Sequence, residues 1–206
     1  MEGREAKRIV AEGYDQIIDR NLKQFGRSTV RAQKLEELIE GLSAGASVLD
    51  LGCGTGTPVA RELAERGFSV TGVDGSQGQI DRARRDVAKA RFIQADMAAV
   101  EFSPETFDAV CAFYSLTHVP FEEHAALFKR IASWLRPGGR FVASFGTAKG
   151  NWSGEWLGVP MFFSHDDPLR TQQLIVEAGF ELDRVEAIEQ DNENVSFLWI
   201  TALRSR

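Results

Sequence analysis

The stretch Val48-Leu49-Asp50-Leu51-Gly52-Cys53-Gly54-Thr55-Gly56-Thr57-Pro58 constrains this chain more than any other. A short apolar run ends in three glycines at alternate positions, and a proline then opens a helix-periodic segment, Pro58–Glu65. That order reads as a strand turning into a helix through a loop of bare backbone. Glycine reaches positive φ and lets a ligand approach the main chain closely, and proline suits a first helical position. Downstream the alternation continues. Ser47–Leu51, Phe68–Val73, Arg91–Gln94, Phe107–Phe113 and Arg140–Phe145 are strand-sized, whereas Gln77–Val87 and Phe121–Leu135 are helix-periodic. The interval Asp96–Thr106 is at most half helical. Parallel neighbours need crossover connections, so the pattern predicts an α/β fold, a doubly wound, mostly parallel sheet.

The flanks differ from this core. Val10, Tyr14, Ile17 and Ile18 form one helical stripe and Leu35, Leu38, Ile39 and Leu42 another, which makes residues 1–42 an N-terminal helical cap. After a helix near Leu169–Ala178, the strands Glu181–Ile188 and Val195–Leu203 are joined by Glu189–Asn194, a hairpin-length connection, so the last strand is expected antiparallel. With no repeat or linker, the 206 residues are read as a single domain: cap 1–42, ligand-binding core 47–145, insertion 146–168 and C-terminal helix and hairpin 169–206. A net charge of −6 argues against a phosphate-backbone partner. No apolar run approaches the ~20 residues of a membrane span. Two cysteines, Cys53 and Cys111, make no disulfide framework, and Met1–Arg8 lacks an apolar signal core; a cytoplasmic protein is expected.

Three acids close three successive strands. Asp50 stands two residues before the glycine loop, with no Lys or Arg until Arg61, a poor setting for a pyrophosphate and a good one for a cationic group. The spacing is G-x-G-x-G, and Thr57 occupies the place where a dinucleotide fingerprint has its third glycine. A nicotinamide-dependent oxidoreductase is disfavoured on both counts. Asp74 suits two ribose hydroxyls, and Asp96 suits an exocyclic amine. S-adenosylmethionine carries those parts: ammonium, sulfonium, ribose and adenine.

Read in order, VLDLGCGTGTP, VTGVDGSQGQI, ARFIQADM, FDAVCAFYSLTHVP and LRPGGRFVASF resemble the motifs of class I S-adenosylmethionine-dependent methyltransferases of the small-molecule type, over Ser47–Phe145. The resemblance implies the Rossmann-like methyltransferase fold with seven strands, and S-adenosylmethionine as cofactor with S-adenosylhomocysteine as product. It implies that Asp50, Gly52, Cys53 and Gly54 hold the methionine end and that Asp74, Gly75, Ser76 and Gln79 surround the ribose. Asp96 and the backbone of Met97 would meet the adenine, while Phe113 to Ser115 would lie along the sulfonium. A tyrosine in an N-terminal Tyr-Asp helix closes over the cofactor in many relatives, and Tyr14-Asp15 matches, which makes Tyr14 a candidate catalytic as well as cofactor-binding residue; the competing reading makes Tyr14 a core aromatic.

The acceptor side is read from the residues. His118 follows the fourth strand at the switch point of the sheet and acts either as general base or as a positioning group. His124 falls on an apolar stripe and is expected to be packed. The glycine-rich stretch Gly146–Pro168 is unusually long for a connection. With Trp152, Trp156, Met161, Phe162 and His165, it is read as an acceptor lid, Tyr114 completing the substrate wall; covering the cofactor or packing a dimer is the alternative. His165-Asp166-Asp167 is read as a helix cap at Asp166 or Asp167 rather than a metal site. The expected partner is a small-molecule methyl acceptor, with no nucleic acid and no membrane, and the protein a monomer or homodimer. A cofactor-binding protein without transfer activity, or an enzyme acting on protein or nucleic acid, stands as the alternative.

Overall fold

The computed structural model describes residues 3–191 and 195–206. Two helices lead, α1 (Gly3–Phe25), kinked at Ile17, and α2 (Thr29–Ile39). The alternating core follows: β1 (Ser47–Leu51), α3 (Val59–Glu65), β2 (Ser69–Asp74), α4 (Gln77–Asp86), β3 (Arg91–Gln94), β4 (Phe107–Ala112), a 3₁₀ turn (Leu116–His118), α5 (Phe121–Trp134) and β5 (Leu135–Gly146). Then come β6 (Gly150–Trp156), β7 (Val159–His165), α6 (Pro168–Glu177), β8 (Phe180–Glu189) and β9 (Ser196–Arg204).

Seven strands form one sheet in the order β3-β2-β1-β4-β5-β9-β8. Neighbours from β3 to β5 are parallel, and β9 runs antiparallel between β5 and β8. Strand alternation distributes the core. Leu49 and Leu51 point to the side where Leu127, Phe128, Ile131 and Trp134 of α5 pack. Val48 points the other way, to Leu35, Leu38, Leu63 and Ile80 of α2, α3 and α4. With both faces covered, central strands read as continuous apolar runs.

From β1 the chain moves outward to β2 and β3, then returns to β4 on the other side of β1. The carboxyl ends of β1 and β4 therefore diverge, which is where open α/β sheets leave a crevice. Helix α1 crosses above it. Asp15 accepts hydrogen bonds from Ser76 Oγ at 2.5 Å and from the Gly78 amide at 2.8 Å at the start of α4. On its other flank, Ile17 packs with Val159 and Met161 of β7.

Three local expectations are corrected. The stretch 146–168 is not an irregular loop: β6 and β7 pair as an antiparallel ribbon from Gly150↔His165 to Trp156↔Val159. Leu157 (φ 52) and Gly158 (φ 79) make its turn, the two positive-φ positions a type I′ hairpin requires. Strand β5 starts at Leu135 rather than Arg140, because Leu135 already pairs with Phe107. Pro58 caps α3 instead of opening it. Within Glu189–Asn194, residues 192–194 lie outside the described ones. No described helix is long and apolar enough to cross a membrane.

Candidate functional site

A cavity of about 870 Å³ lies at the carboxyl ends of the first four strands, beneath α1 and the ribbon. Its floor is the glycine loop, whose three glycines have three different reasons. Gly52 (φ 77) packs so tightly that an added Cβ would lie 2.1 Å from Ser115 Cβ. Gly56 (φ 71) is closed off by Phe92, 2.8 Å from such a Cβ. Around Gly54 (φ 54) the nearest atom to an added Cβ is Gln79 Oε1 at 3.8 Å. Gly54 thus presents bare backbone to open cavity, the role glycine plays under a ligand.

Asp50 shares a strand face with Val48 and lies buried at the inner wall. One oxygen takes a thiol hydrogen bond from Cys111 at 3.6 Å, and the other, Oδ2, has no partner. Burial raises its carboxyl to about 7. Arg31 of α2, largely buried, lines the same cavity, and its charge favours the Asp50 carboxylate. Asp74 is held by two amides, Gly54 N–H and Ser76 N–H, each at 2.9 Å. Burial raises its carboxyl while those two bonds oppose the shift. Asp96 accepts from the Ala98 amide at 2.9 Å and pairs with Lys7 of α1 at 2.6 Å; Lys7 also reaches Glu123 at 2.7 Å.

His118 does not present a free imidazole. Its Nδ1 lies 2.8 Å from the Phe162 carbonyl, an acceptor only, so Nδ1 carries the proton. Nε2 is then the acceptor, and it takes the Tyr14 hydroxyl at 2.8 Å. Burial lowers the imidazolium pKa to about 4 and raises the Tyr14 phenol. Both groups are neutral at pH 7.

Among residues singled out in the sequence, Tyr14, Asp50, Gly52, Cys53, Gly54, Asp74, Gly75, Ser76 and Gln79 all line the cavity. Asp96, Met97, Phe113, Tyr114, Ser115, His118, Trp156 and His165 line it too. Ser115 donates to the Leu51 carbonyl at 2.6 Å, joining the ends of β1 and β4. Tyr114 donates its hydroxyl to Gln190 Oε1 at 2.5 Å, and Gln190 lines the cavity as well. Three of the singled-out residues do not line it: Phe162 because the ribbon alternation turns it to the other face, and Trp152 and Met161 although they share the face of Phe163. Trp152 is 45% exposed and tilts against the outside of Phe163. Met161 is buried under α1, against Gly13. Phe162 is buried on the opposite ribbon face from Phe163 and contributes its carbonyl instead. Phe163 lines the cavity in their place.

Sequence reasoning missed Arg31, Lys7 and Phe25. Arg31 had a legible signal, since 31, 35, 38 and 42 continue one helical stripe and put a cation on its apolar side. His124 is packed as expected, its Nε2 near the Leu116 and Val119 carbonyls. Asp167 caps α6 through the Leu169 and Arg170 amides.

A family model described as "Methyltransferase domain" matches residues 48–139. Sterol 24-C-methyltransferase ERG6B of Gibberella zeae is 30% identical over 164 residues, 76% of this chain and 40% of that protein. The 27-O-demethylrifamycin SV methyltransferase of Amycolatopsis mediterranei is 37% identical over 107 residues, 49% of this chain and 39% of that one. The chain thus spans about two fifths of the length of these relatives. In fold it resembles the Burkholderia thailandensis 1,6-didemethyltoxoflavin-N1-methyltransferase, solved with 1,6-didemethyltoxoflavin and S-adenosylhomocysteine. That TM-score is 0.78 at 19% identity, covering 100% of this chain and 92% of the other.

Proposed function

This chain belongs to the class I S-adenosylmethionine-dependent methyltransferases, and from that premise we propose that it moves a methyl group onto oxygen, nitrogen or sulfur of a small molecule. The observation carrying the proposal is Asp50 Oδ2, a buried carboxylate oxygen without a partner, beside Arg31 and the open side of Gly54. A cation and an anion facing one bare turn of backbone suit the ammonium and carboxylate of an amino acid.

The remaining residues fit the rest of the cofactor. Asp74, fixed by two amides, keeps lone pairs for two ribose hydroxyls, with Gly75, Ser76 and Gln79 beside it. Asp96 and the Met97 backbone would take the adenine edge, and Phe113 and Ser115 would flank the sulfonium, with Tyr14 above. When bound, the cofactor supplies an electrophilic methyl group on sulfur. The chain's task is to hold an acceptor in line with it and keep water out. Helix α1 and the ribbon do the covering, which makes 146–168 the acceptor lid of a single domain. Phe25, Trp156 and Phe163 give the acceptor lobe flat aromatic walls, so a planar acceptor is favoured. Relatives named for rifamycin and toxoflavin chemistry support a small molecule. Both cysteines are buried and unpaired, which suits a reducing compartment such as the cytoplasm.

A thermal-shift panel tests the cofactor assignment. S-adenosylhomocysteine at 100 times its Kd should stabilise the chain by ~2.7 kcal/mol; a shift with NAD instead would overturn it. Labelled methyl transfer into a metabolite extract, with mass analysis of the product, should then reveal the acceptor.

A further inference from the structure

Resting on the methyltransferase reading, we infer that the Tyr14 hydroxyl, relayed to His118 Nε2, takes the proton from the acceptor, and that the acceptor is a planar ring bearing an acidic hydroxyl or ring N–H. The geometry fixes the direction. The Phe162 carbonyl holds the His118 proton on Nδ1, which leaves Nε2 as a lone pair already pointed at Tyr14 Oη, 2.8 Å away. His118 cannot meet an acceptor with that nitrogen unless Tyr14 leaves. Tyr14 Oη donates its own proton inward and keeps its oxygen lone pairs for a group in the cavity.

The walls around this hydroxyl set the shape of what it meets. Trp156 lies edge-on to the Tyr14 ring at 6.0 Å and stacks on Phe25 at 5.5 Å and 15°. Phe163 sits 4.6 Å from the His118 ring and edge-on to Trp156 at 5.9 Å. Flat faces of this kind favour a flat ligand.

The chemistry sets its acidity. As the acceptor's oxygen or nitrogen bonds to the methyl carbon, the carbon–sulfur bond breaks and its electron pair stays on sulfur. The acceptor's proton passes to Tyr14 Oη while the Tyr14 proton passes to His118 Nε2. The imidazolium then carries the positive charge that sulfur gives up. A buried imidazole whose protonated form is held down to about 4 is a weak sink. It suits a conjugated hydroxyl or ring N–H at or below the ~10 of a phenol, not an aliphatic alcohol near the ~15.7 of water.

The probe is umbelliferone, a flat phenol whose neutral and anionic forms absorb at different wavelengths, added to the protein saturated with S-adenosylhomocysteine. Wild type should bind it and lower the pH at which it ionises. Tyr14→Phe should abolish that lowering. His118→Gln, whose amide oxygen still accepts the Tyr14 hydroxyl but takes up no proton, should keep probe affinity within about threefold and also lose the lowering. Imidazole-nitrogen NMR should show His118 neutral with its proton on Nδ1 at pH 6.5 before the probe is added, and protonated on both nitrogens in the complex that holds the ionised probe. Failure of S-adenosylhomocysteine to bind by calorimetry would remove the methyltransferase reading itself. If it binds while umbelliferone does not, or umbelliferone ionises alike in wild type and both variants, or His118 carries its proton on Nε2 before the probe is added, the relay is wrong and the methyltransferase reading stands.

Discussion

Asp74 accepts the Gly54 amide at 2.9 Å, so the acid that closes β2 and the glycine turn after β1 form one unit. Its other oxygen holds Ser76 N–H. Asp74→Ala therefore loses more than a ligand contact: two amides lose a charged acceptor. A hydrogen bond to a charged group is worth ~1.5–3 kcal/mol, so S-adenosylhomocysteine affinity should fall roughly 10- to 100-fold by calorimetry. The melting temperature should fall as well. Wild-type affinity in a folded variant would remove Asp74 from the ligand site.

Two glycines two residues apart should separate folding from binding. Gly52→Ala combines left-handed strain of ~1–2 kcal/mol with a clash against the Cβ of Ser115, an overpacking cost of ~1–3 kcal/mol. At ~2–4 °C per kcal/mol for a chain this size, its melting temperature should drop markedly or folding should fail. Gly54→Ala meets no crowding and should lose only a few degrees, yet its methyl group enters ligand space. We expect S-adenosylhomocysteine binding to weaken at least tenfold in a folded Gly54→Ala protein. Equal binding by that variant and wild type would show that the ligand does not lie on this turn.

The Asp50 carboxyl stands at about 7 in the ligand-free fold against 3.8 in an open chain. Between those values the folded state keeps a proton the unfolded state has lost, so this group makes stability fall as pH rises from about 4 to 7 and leaves it level above. A ligand ammonium prefers the ionised form. Binding below pH 7 should release a proton, and affinity should climb about tenfold per pH unit up to 7. Between pH 5.5 and 7.5 the gain should approach roughly 30-fold for S-adenosylhomocysteine. In Asp50→Asn the slope should flatten and affinity should be lower throughout. A wild-type affinity independent of pH over that range would mean that Asp50 does not face the ammonium.

What the sequence disclosed follows from locality. β1, its glycine turn and the acids at 50, 74 and 96 are adjacent in sequence to the strands that aim them, so their placement needs only strand periodicity and chain order. Met161 and Phe162, which are buried and do not line the cavity, are illegible for the same reason in reverse. Glycines and a proline between 146 and 168 look like bends, and only pairing with a partner strand shows a period of two. Even then, Met161 shares its face with Phe163 and His165, and α1 alone hides it. Tyr14 and His118 stand 104 positions apart. Nothing in either neighbourhood indicates that the histidine would give its lone pair to the tyrosine, because the Phe162 carbonyl that fixes the tautomer comes from a third element.

The seam between α1 and β7 should control whether that pair forms. Gly13 faces the ribbon so closely that a Cβ would lie 2.9 Å from the Pro160 carbonyl oxygen and 3.0 Å from Met161 Cε. The oxygen is backbone and cannot swing aside, so Gly13→Ala must lift the helix or bend the strand, at ~1–3 kcal/mol. Met161, 1% exposed, leaves a hole as Met161→Ala and should cost ~2–5 kcal/mol. The two variants destabilise for opposite reasons, and they should differ in binding. Gly13→Ala displaces the residues directly after it, Tyr14 and Asp15, and so loosens both the bond to His118 and the clasp on Ser76. It should weaken S-adenosylhomocysteine more than Met161→Ala does, although it costs less stability, and α1 should be cut faster by protease. If affinity instead tracks melting temperature across the two variants, the helix position is set elsewhere and the seam is ordinary core.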